Sequence, residues 1–253
     1  METAEPVQAK LGHVAFQPRP ARYSSVYLLC FLTVLFVLVP FLEDLPGGDL
    51  IETLALSSVM VCSVLAVGGR RRSLSAAFVL MVPALGGKWA HHLFPGSFSA
   101  LFYLLASLAF FGFVVTHLVG GVLRASRVDA NVLCAGLSGY LLLGLLWIPA
   151  YLVVARLNPA AFNLPSNTPA GGGLDRFTAF YFSFITLCTV GYGDVTPVSK
   201  VARMLAITEA IAGLFYVAVL ISRLVGIYSS PRLAPSPDID SSAKQEIDKA
   251  LSE

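Results

Sequence analysis

The 253-residue sequence is 56% hydrophobic and only 13% charged, which is more apolar than the core of a soluble domain requires. Its formal charge of +2 is too small to indicate nucleic-acid binding, and neither nucleic acid nor a soluble substrate is an expected partner. The composition therefore predicts an integral membrane protein, and no residue pattern typical of an enzyme is present.

The cysteines are scattered through apolar segments, at Cys30, Cys62, Cys134 and Cys188. This spacing predicts buried thiols that pack as small hydrophobic groups, and it fits neither a disulfide framework nor a metal site.

The first 25 residues are polar, and the apolar run behind them lacks the cleavage pattern of a signal peptide. A bilayer crossing requires about 20 mainly apolar residues. We predict six crossings, at 26–42, 50–67, 74–85, 98–123, 130–154 and 201–228. The third is the weakest of these, because it is short and contains Pro83.

The fourth predicted helix, 98–123, contains no Lys or Arg, whereas a voltage sensor needs arginines at every third position of this helix. His117 is its only group that titrates near neutral pH, and a single histidine is more often a packed helix residue. The protein is therefore not expected to be strongly voltage gated. Lys88, His91 and His92 are interpreted as interfacial side chains, with sensing of external pH as the alternative.

A loop rich in Pro, Asn and Gly at 157–173 leads to an aromatic-rich segment that predicts a pore helix at 175–187. The carboxyl end of this helix should point at a central cavity, where its unpaired carbonyls favour a cation. Asp175 or Thr178 is a candidate cap for its start, with a solvated loop residue as the alternative.

The segment Thr189-Val190-Gly191-Tyr192-Gly193 follows directly. Successive backbone carbonyls can replace the water around a cation when every second residue tolerates a conformation forbidden to most side chains. Gly191 and Gly193 supply that tolerance, and Thr189 adds a hydroxyl at the inner end. The carbonyls of residues 189–192 would then form a ladder of oxygen cages where four chains meet, since one chain carries one copy.

The stretch Phe180–Asp194, FYFSFITLCTVGYGD, resembles the tetrameric potassium channel family, and specifically its six-helix, single-pore, prokaryotic type without a charged voltage sensor. In that family the corresponding loop is the selectivity filter, whose carbonyls replace the hydration shell of the ion. The resemblance covers residues 130–228 and implies an all-α homotetramer that conducts K⁺ as the permeant ion, without a cofactor. It also places a gating hinge at Gly213. The first four crossings resemble six-helix channels in number only.

The resemblance implies side chains that support the filter. Tyr181 stands where a partner of the filter aspartate, Asp194, lies in the family, so we expect a hydrogen bond between them, with packing of the ring alone as the alternative.

Cys188 precedes the filter, where many relatives have threonine; it is interpreted as a packing residue, with altered blocker affinity as the alternative. Glu209 lies within the last crossing, where an ionisable residue is a functional candidate by default. We expect it to bond to Ser183 or Thr186 of the pore helix and to stabilise the tetramer, with proton-sensitive gating as the alternative.

A filter entered from outside orients the whole chain. Twelve of the 17 Lys and Arg residues then lie on the cytoplasmic side, as do both termini. The expected location is the plasma membrane. The predicted organisation is a cytoplasmic N-terminal segment (1–25), a four-helix membrane domain (26–128), a pore domain (129–229) and a short cytoplasmic tail (230–253).

Basic residues near the inner headgroups suggest anionic lipid as a partner, although topology alone also explains the same residues and is the preferred interpretation. They are Arg70, Arg71, Arg72, Arg124, Arg127 and Arg223. A weakly selective cation channel and a non-conducting regulatory subunit remain as alternative functions, and the gating stimulus is not encoded in any recognisable pattern.

Overall fold

The computed structural model describes residues 24–42, 47–67, 71–93, 100–125, 129–164 and 173–228, and the fold is given for these parts of the chain. They form seven α-helices: α1 Ser24–Leu42, α2 Gly48–Val67, α3 Arg71–Leu93, α4 Ala100–Arg124, α5 Ala130–Leu157, α6 Arg176–Leu187 and α7 Lys200–Tyr228. Two short strands, β1 Phe162–Asn163 and β2 Thr196–Pro197, pair antiparallel. The predicted tail 230–253 and nearly all of the segment 1–25 lie outside the described residues.

Helices α2 to α5 and α7 are each long and apolar enough to cross a membrane, while α1 contributes a shorter apolar stretch, Ser25–Phe41. The predicted fold class, an all-α membrane protein, is confirmed. One predicted segment is too short. The crossing expected at 74–85 is the 23-residue helix Arg71–Leu93, which continues through Pro83. Membrane helices tolerate proline because neighbouring groups can satisfy the backbone carbonyl that it leaves free.

The front helices α1 to α4 share one hydrophobic core with the pore region. The core runs from Leu32 and Leu35 of α1, through Phe110 and Val114 of α4, to Leu142 of α5, and it reaches the end of α6 at Leu187. Helix α5 packs along both α4 and α1. The predicted boundary between a front domain and a pore domain at residue 128 stays a prediction.

Side-chain caps define where the pore helices begin. The Asp129 carboxylate accepts a hydrogen bond from the Val132 N–H (2.8 Å) at the start of α5. Asp175 caps α6, accepting from the Thr178 N–H (2.7 Å) and the Thr178 hydroxyl (2.9 Å). Aspartate is a preferred N-cap because its side chain satisfies N–H groups that lack a helical partner. Of the two candidate caps for the pore helix, Asp175 is the one observed.

The β1–β2 pair joins the chain that leaves α5 to the chain that leaves the filter. Phe162 pairs with Pro197 and Asn163 with Thr196, and the Val198 N–H donates to the Ala161 carbonyl (2.8 Å). Both ends of the pore loop are therefore anchored to the same small structure.

Candidate functional site

The backbone of the glycine-containing loop after α6 alternates in handedness. Thr189, Gly191 and Gly193 have positive φ angles of 56°, 56° and 82°, while Val190 and Tyr192 between them do not. In an extended strand successive carbonyls point to opposite sides, whereas alternating left-handed and right-handed residues turn polar backbone groups toward one side. This is the conformation that a ladder of carbonyl ligands requires.

Thr189 is the unexpected member of this pattern, because positive φ is a genuine outlier for a β-branched residue. Such strain typically costs about 1–3 kcal/mol and persists only where the surrounding structure enforces it. The sequence identified the two glycines as conformationally special, but it gave no indication that the threonine adopts the same region.

Hydrogen bonds to the end of α6 hold the inner half of the loop. The Thr189 N–H donates to the Thr186 carbonyl (2.9 Å), and the N–H groups of Val190 and Gly191 both donate to the Ile185 carbonyl (2.8 and 3.2 Å). These bonds satisfy the N–H groups, whereas none of the backbone hydrogen bonds of the described residues is accepted by the carbonyls of 189–192.

The loop is exposed in the single chain. Val190 is 51% and Tyr192 is 74% exposed, although both are large and apolar or aromatic. Helix α7 is likewise apolar and mostly uncovered, with exposed side chains at Met204, Ile207, Ile211, Leu214, Phe215, Val219, Ile221 and Val225. Only 11% of the membrane-length apolar stretch of α7 is buried, against 50% of the corresponding stretch of α5. Among the described membrane-length helices α7 is therefore the least buried, followed by α3 at 17%.

Asp194 ends the loop, and its carboxylate accepts from the Val195 N–H (3.0 Å). The carboxylate also lies close enough to the Tyr181 hydroxyl of α6 to influence it through charge. The hydrogen bond that the family resemblance implies between Tyr181 and Asp194, and its role in supporting the filter, stay predictions.

Glu209 is fully buried behind the loop, where α5, α6 and α7 meet. Its Oε1 lies 2.6 Å from the Ser183 Oγ, and its Oε2 accepts a hydrogen bond from the Tyr151 hydroxyl. The Ser183 Oγ also lies 2.8 Å from the Gly144 carbonyl oxygen. Of the two partners expected for Glu209, Ser183 is present, and Tyr151 is a partner that sequence reasoning missed.

Glycines allow the pore helix to approach α5 and α7 closely. A Cβ at Gly144 of α5 would overlap the ring of Phe184. A Cβ at Gly213 of α7 would meet the Leu187 carbonyl oxygen and lie 2.9 Å from Leu187 Cδ1. Helix α7 runs unbroken through Gly213, so close packing is the role that the geometry gives this residue, and its role as a hinge stays a prediction.

Tyrosines bracket the inner end of the filter. The Tyr140 hydroxyl lies 3.5 Å from both the Leu187 carbonyl oxygen and the Cys188 Sγ. The Tyr216 hydroxyl of α7 donates to the Gly136 carbonyl of α5 (2.6 Å). Cys188 is exposed in the single chain, and it is a free thiol like the other three cysteines. The prediction that all four thiols are buried is wrong for Cys30 and Cys188, which are both exposed.

The front helices contact the pore helix at its start and along its length. Glu52 of α2 pairs with Lys88 of α3 (3.3 Å) and with Arg176 at the start of α6 (3.5 Å). Further along α6, the ring of Phe36 in α1 packs edge-on against Phe180 and Phe184, with centroid distances of 4.9 and 4.5 Å. None of these contacts was predicted, because nothing in the sequence aligns α1 or α2 with the pore helix.

The predicted lipid-facing cations behave differently from one another. Arg71, Arg72 and Arg124 are exposed, whereas Arg223 donates from Nη2 to the Ala125 carbonyl (2.7 Å) just beyond α4. Arg70 and Arg127 lie outside the described residues. Arg124, the last residue of α4, is the single Lys or Arg in that helix. The His117 ring packs against the Phe113 ring, with 6.1 Å between the ring centroids.

Comparison with known proteins places this arrangement in a family. The model of a family described as ion channel matches residues 141–230, which contain most of α5, all of α6 and the filter loop, and α7. Protein LctB from Bacillus caldotenax is 33% identical over 129 residues, covering 46% of this chain and 93% of LctB.

Two potassium channels match over shorter stretches. Two pore potassium channel c from Oryza sativa subsp. japonica is 37% identical over 82 residues, covering 32% of this chain and 18% of that protein. Voltage-gated potassium channel Kch from Escherichia coli (strain K12) is 47% identical over 49 residues, covering 19% and 12%. The chain thus spans less than a fifth of either relative. No solved structure matches the chain significantly.

The family match covers the helices that build the site, and LctB is matched over almost its whole length. The chain therefore belongs to the ion channel family and is a membrane channel protein rather than an enzyme.

Proposed function

We propose that the protein is a potassium-selective channel that conducts K⁺ passively, with the ion held by the carbonyls of Thr189, Val190, Gly191 and Tyr192. The observation that carries the proposal is the positive φ at Thr189, Gly191 and Gly193, because alternating handedness is what a row of inward-facing carbonyls needs. The chain is also similar to relatives named as potassium channels, among them E. coli Kch and two pore potassium channel c.

Assembly as a homotetramer follows from the same site. One chain supplies one filter strand and so only one side of each oxygen cage. The exposed filter and the uncovered apolar face of α7 give a second copy of the chain a surface to cover. Four α6 helices would then point their carboxyl ends at one cavity, where their partial negative charge favours a cation in low dielectric.

Gating by voltage is proposed to be weak, because the described α4 carries no Lys or Arg before Arg124. The proposed orientation puts both termini in the cytoplasm, with the protein in the plasma membrane as a prokaryotic, six-crossing, single-pore channel. Arg71, Arg72 and Arg124 are then placed to meet anionic headgroups.

Purified protein in liposomes tests the function directly, by comparing K⁺ and Na⁺ flux under equal gradients. Strong K⁺ preference supports the proposal, equal flux indicates a weakly selective cation channel, and zero flux indicates a non-conducting subunit. In planar-bilayer recordings, an e-fold change of open probability within about 10 mV would contradict weak voltage gating, since that steepness requires several gating charges.

A further inference from the structure

Glu209 presents a problem of hydrogen counting. Three oxygen pairs are in hydrogen-bonding contact around it: Tyr151 with Oε2, Ser183 Oγ with Oε1, and Ser183 Oγ with the Gly144 carbonyl oxygen. Each contact needs one hydrogen. Tyr151 and Ser183 carry one hydroxyl hydrogen each, and a backbone carbonyl has none to give.

An ionised Glu209 leaves this set one hydrogen short. If the Ser183 hydroxyl donates to the carboxylate, the serine and Gly144 oxygens face each other at 2.8 Å without a hydrogen between them. If it donates to Gly144, the Ser183 and Glu209 oxygens do so at 2.6 Å. Either arrangement places two lone pairs in contact at a buried position, which is unfavourable.

A protonated Glu209 satisfies all three contacts. The Tyr151 hydroxyl donates to Oε2, and the protonated Oε1 donates to the Ser183 Oγ. The Ser183 hydroxyl in turn donates to the Gly144 carbonyl. The neutral form also suits the surroundings: the side chain is 0% exposed, and the partners acting on it, Ser183 and Tyr151, are uncharged. An ionised carboxylate without a cation is strongly disfavoured in such a place.

We propose that Glu209 is a neutral carboxylic acid whose proton is donated to Ser183, and that it acts as a positioning residue tying α7 to α6 and α5 behind the filter. The chain of bonds from Tyr151 through Glu209 and Ser183 to Gly144 crosses all three pore helices. Ser183 lies two residues before Ile185, whose carbonyl holds the N–H groups of Val190 and Gly191, so the bonds fix the helix that holds the filter.

The proposal predicts sensitivity to alkali. Removing the proton leaves one of the three contacts without a hydrogen and creates a buried charge, so the filter support weakens as the pH rises and not as it falls. Tyr151 faces Glu209 from α5, and the uncharged Ser183 faces it from α6. Tyr140, also on α5, is influenced by the charge of Glu209 at longer range.

Infrared spectroscopy of the purified channel in lipid tests the protonation without any need for conduction. Wild-type protein should show the carbonyl stretch of a protonated carboxylic acid, and Glu209→Gln should lose this band. Glu52→Gln, which removes a carboxylate paired with Lys88 and Arg176, is the matched control and should keep it. Identical spectra for wild type and Glu209→Gln near neutral pH would overturn the proposal.

A pH profile of flux tests the positioning role, which rests on the proposed function. Glutamine can donate to Ser183 and accept from Tyr151, so Glu209→Gln should conduct like wild type at neutral pH and lose the alkaline decline. Wild-type flux should fall at least about tenfold at strongly alkaline pH, since an unpaired buried charge strongly destabilises the structure around it. An alkaline decline that persists in Glu209→Gln would overturn this role. Protein without any flux would contradict the channel function, while the infrared band would still decide the protonation.

Discussion

The pore region and the front helices are held together in different ways. Around α6 and α7, single atoms matter: left-handed residues shape the filter, glycines admit Phe184 and Leu187, and one buried acid joins three helices. The front helices α1 to α4 are joined to one another and to α5 largely by aliphatic and aromatic packing. The difference teaches that the proposed ion site depends on exact backbone placement, whereas the front bundle depends mainly on the apolar volume that it fills.

The sharpest way to break this contrast is Gly191→Ala. The position has φ of 56° and no atom within 4 Å of an added Cβ, so within one chain the change acts through backbone conformation rather than contact. We expect K⁺ preference over Na⁺ to be abolished in liposome flux. Gly120→Ala in α4, also without a contact within 4 Å but in ordinary helix, is the control and should leave selectivity unchanged. Retained selectivity in Gly191→Ala would contradict the assignment of the filter.

Gly213→Ala separates close packing from hinge bending. An added Cβ would press on Leu187 at the end of the pore helix, and overpacking of this kind lowers stability by about 1–3 kcal/mol. Thermal unfolding of the purified protein should therefore show a lower midpoint. A midpoint equal to wild type, combined with altered opening and closing rates, would favour the hinge and count against the packing role.

Phe36→Ala tests how much the front bundle contributes to the pore helix. The ring is half-buried and makes edge contacts with Phe180 and Phe184, so its removal should destabilise the protein by about 1–2 kcal/mol. Selectivity should be preserved, because the filter bonds are untouched. Phe41→Ala in the same helix, 65% exposed, is the matched control and should change unfolding by less than about 0.5 kcal/mol. Loss of selectivity in Phe36→Ala would show that the two regions are not separable.

Glu52→Gln should have the smallest effect. Its ion pairs with Lys88 and Arg176 are partly exposed, with 22% of the Glu52 side chain accessible, and such pairs contribute about 0.2–1 kcal/mol. The loss should shrink further at high salt, because mobile ions screen the pairs. Unfolding midpoints at low and high ionic strength measure both effects. A larger effect that is independent of salt would mean that Glu52 couples the front helices to the pore more strongly than its geometry indicates.

Much of the fold could be predicted because membrane helices are local objects. Long apolar runs separated by polar or glycine-rich breaks gave α2, α4, α5 and α7 to within a few residues. The start of α6 at Asp175 was predictable from a capping residue that contacts its own chain three residues on. Helix α3 was predicted too short, because the apolar run stops before Gly86, Gly87 and Lys88, whereas the helix continues through them to Leu93.

The candidate site likewise combines features that are local in the chain with contacts between distant residues. The run from Thr189 to Asp194 was enough to predict the special backbone conformation of Gly191 and Gly193, but it did not indicate the positive φ of Thr189. The sequence likewise marked Glu209 as a charge at membrane depth. Only the tertiary structure decided what surrounds them: Tyr151 lies 58 residues from Glu209, and Gly144 lies 39 residues from Ser183. Such partners depend on the rotation and depth of one helix against another, which side-chain packing sets and which no periodicity in a single segment can specify.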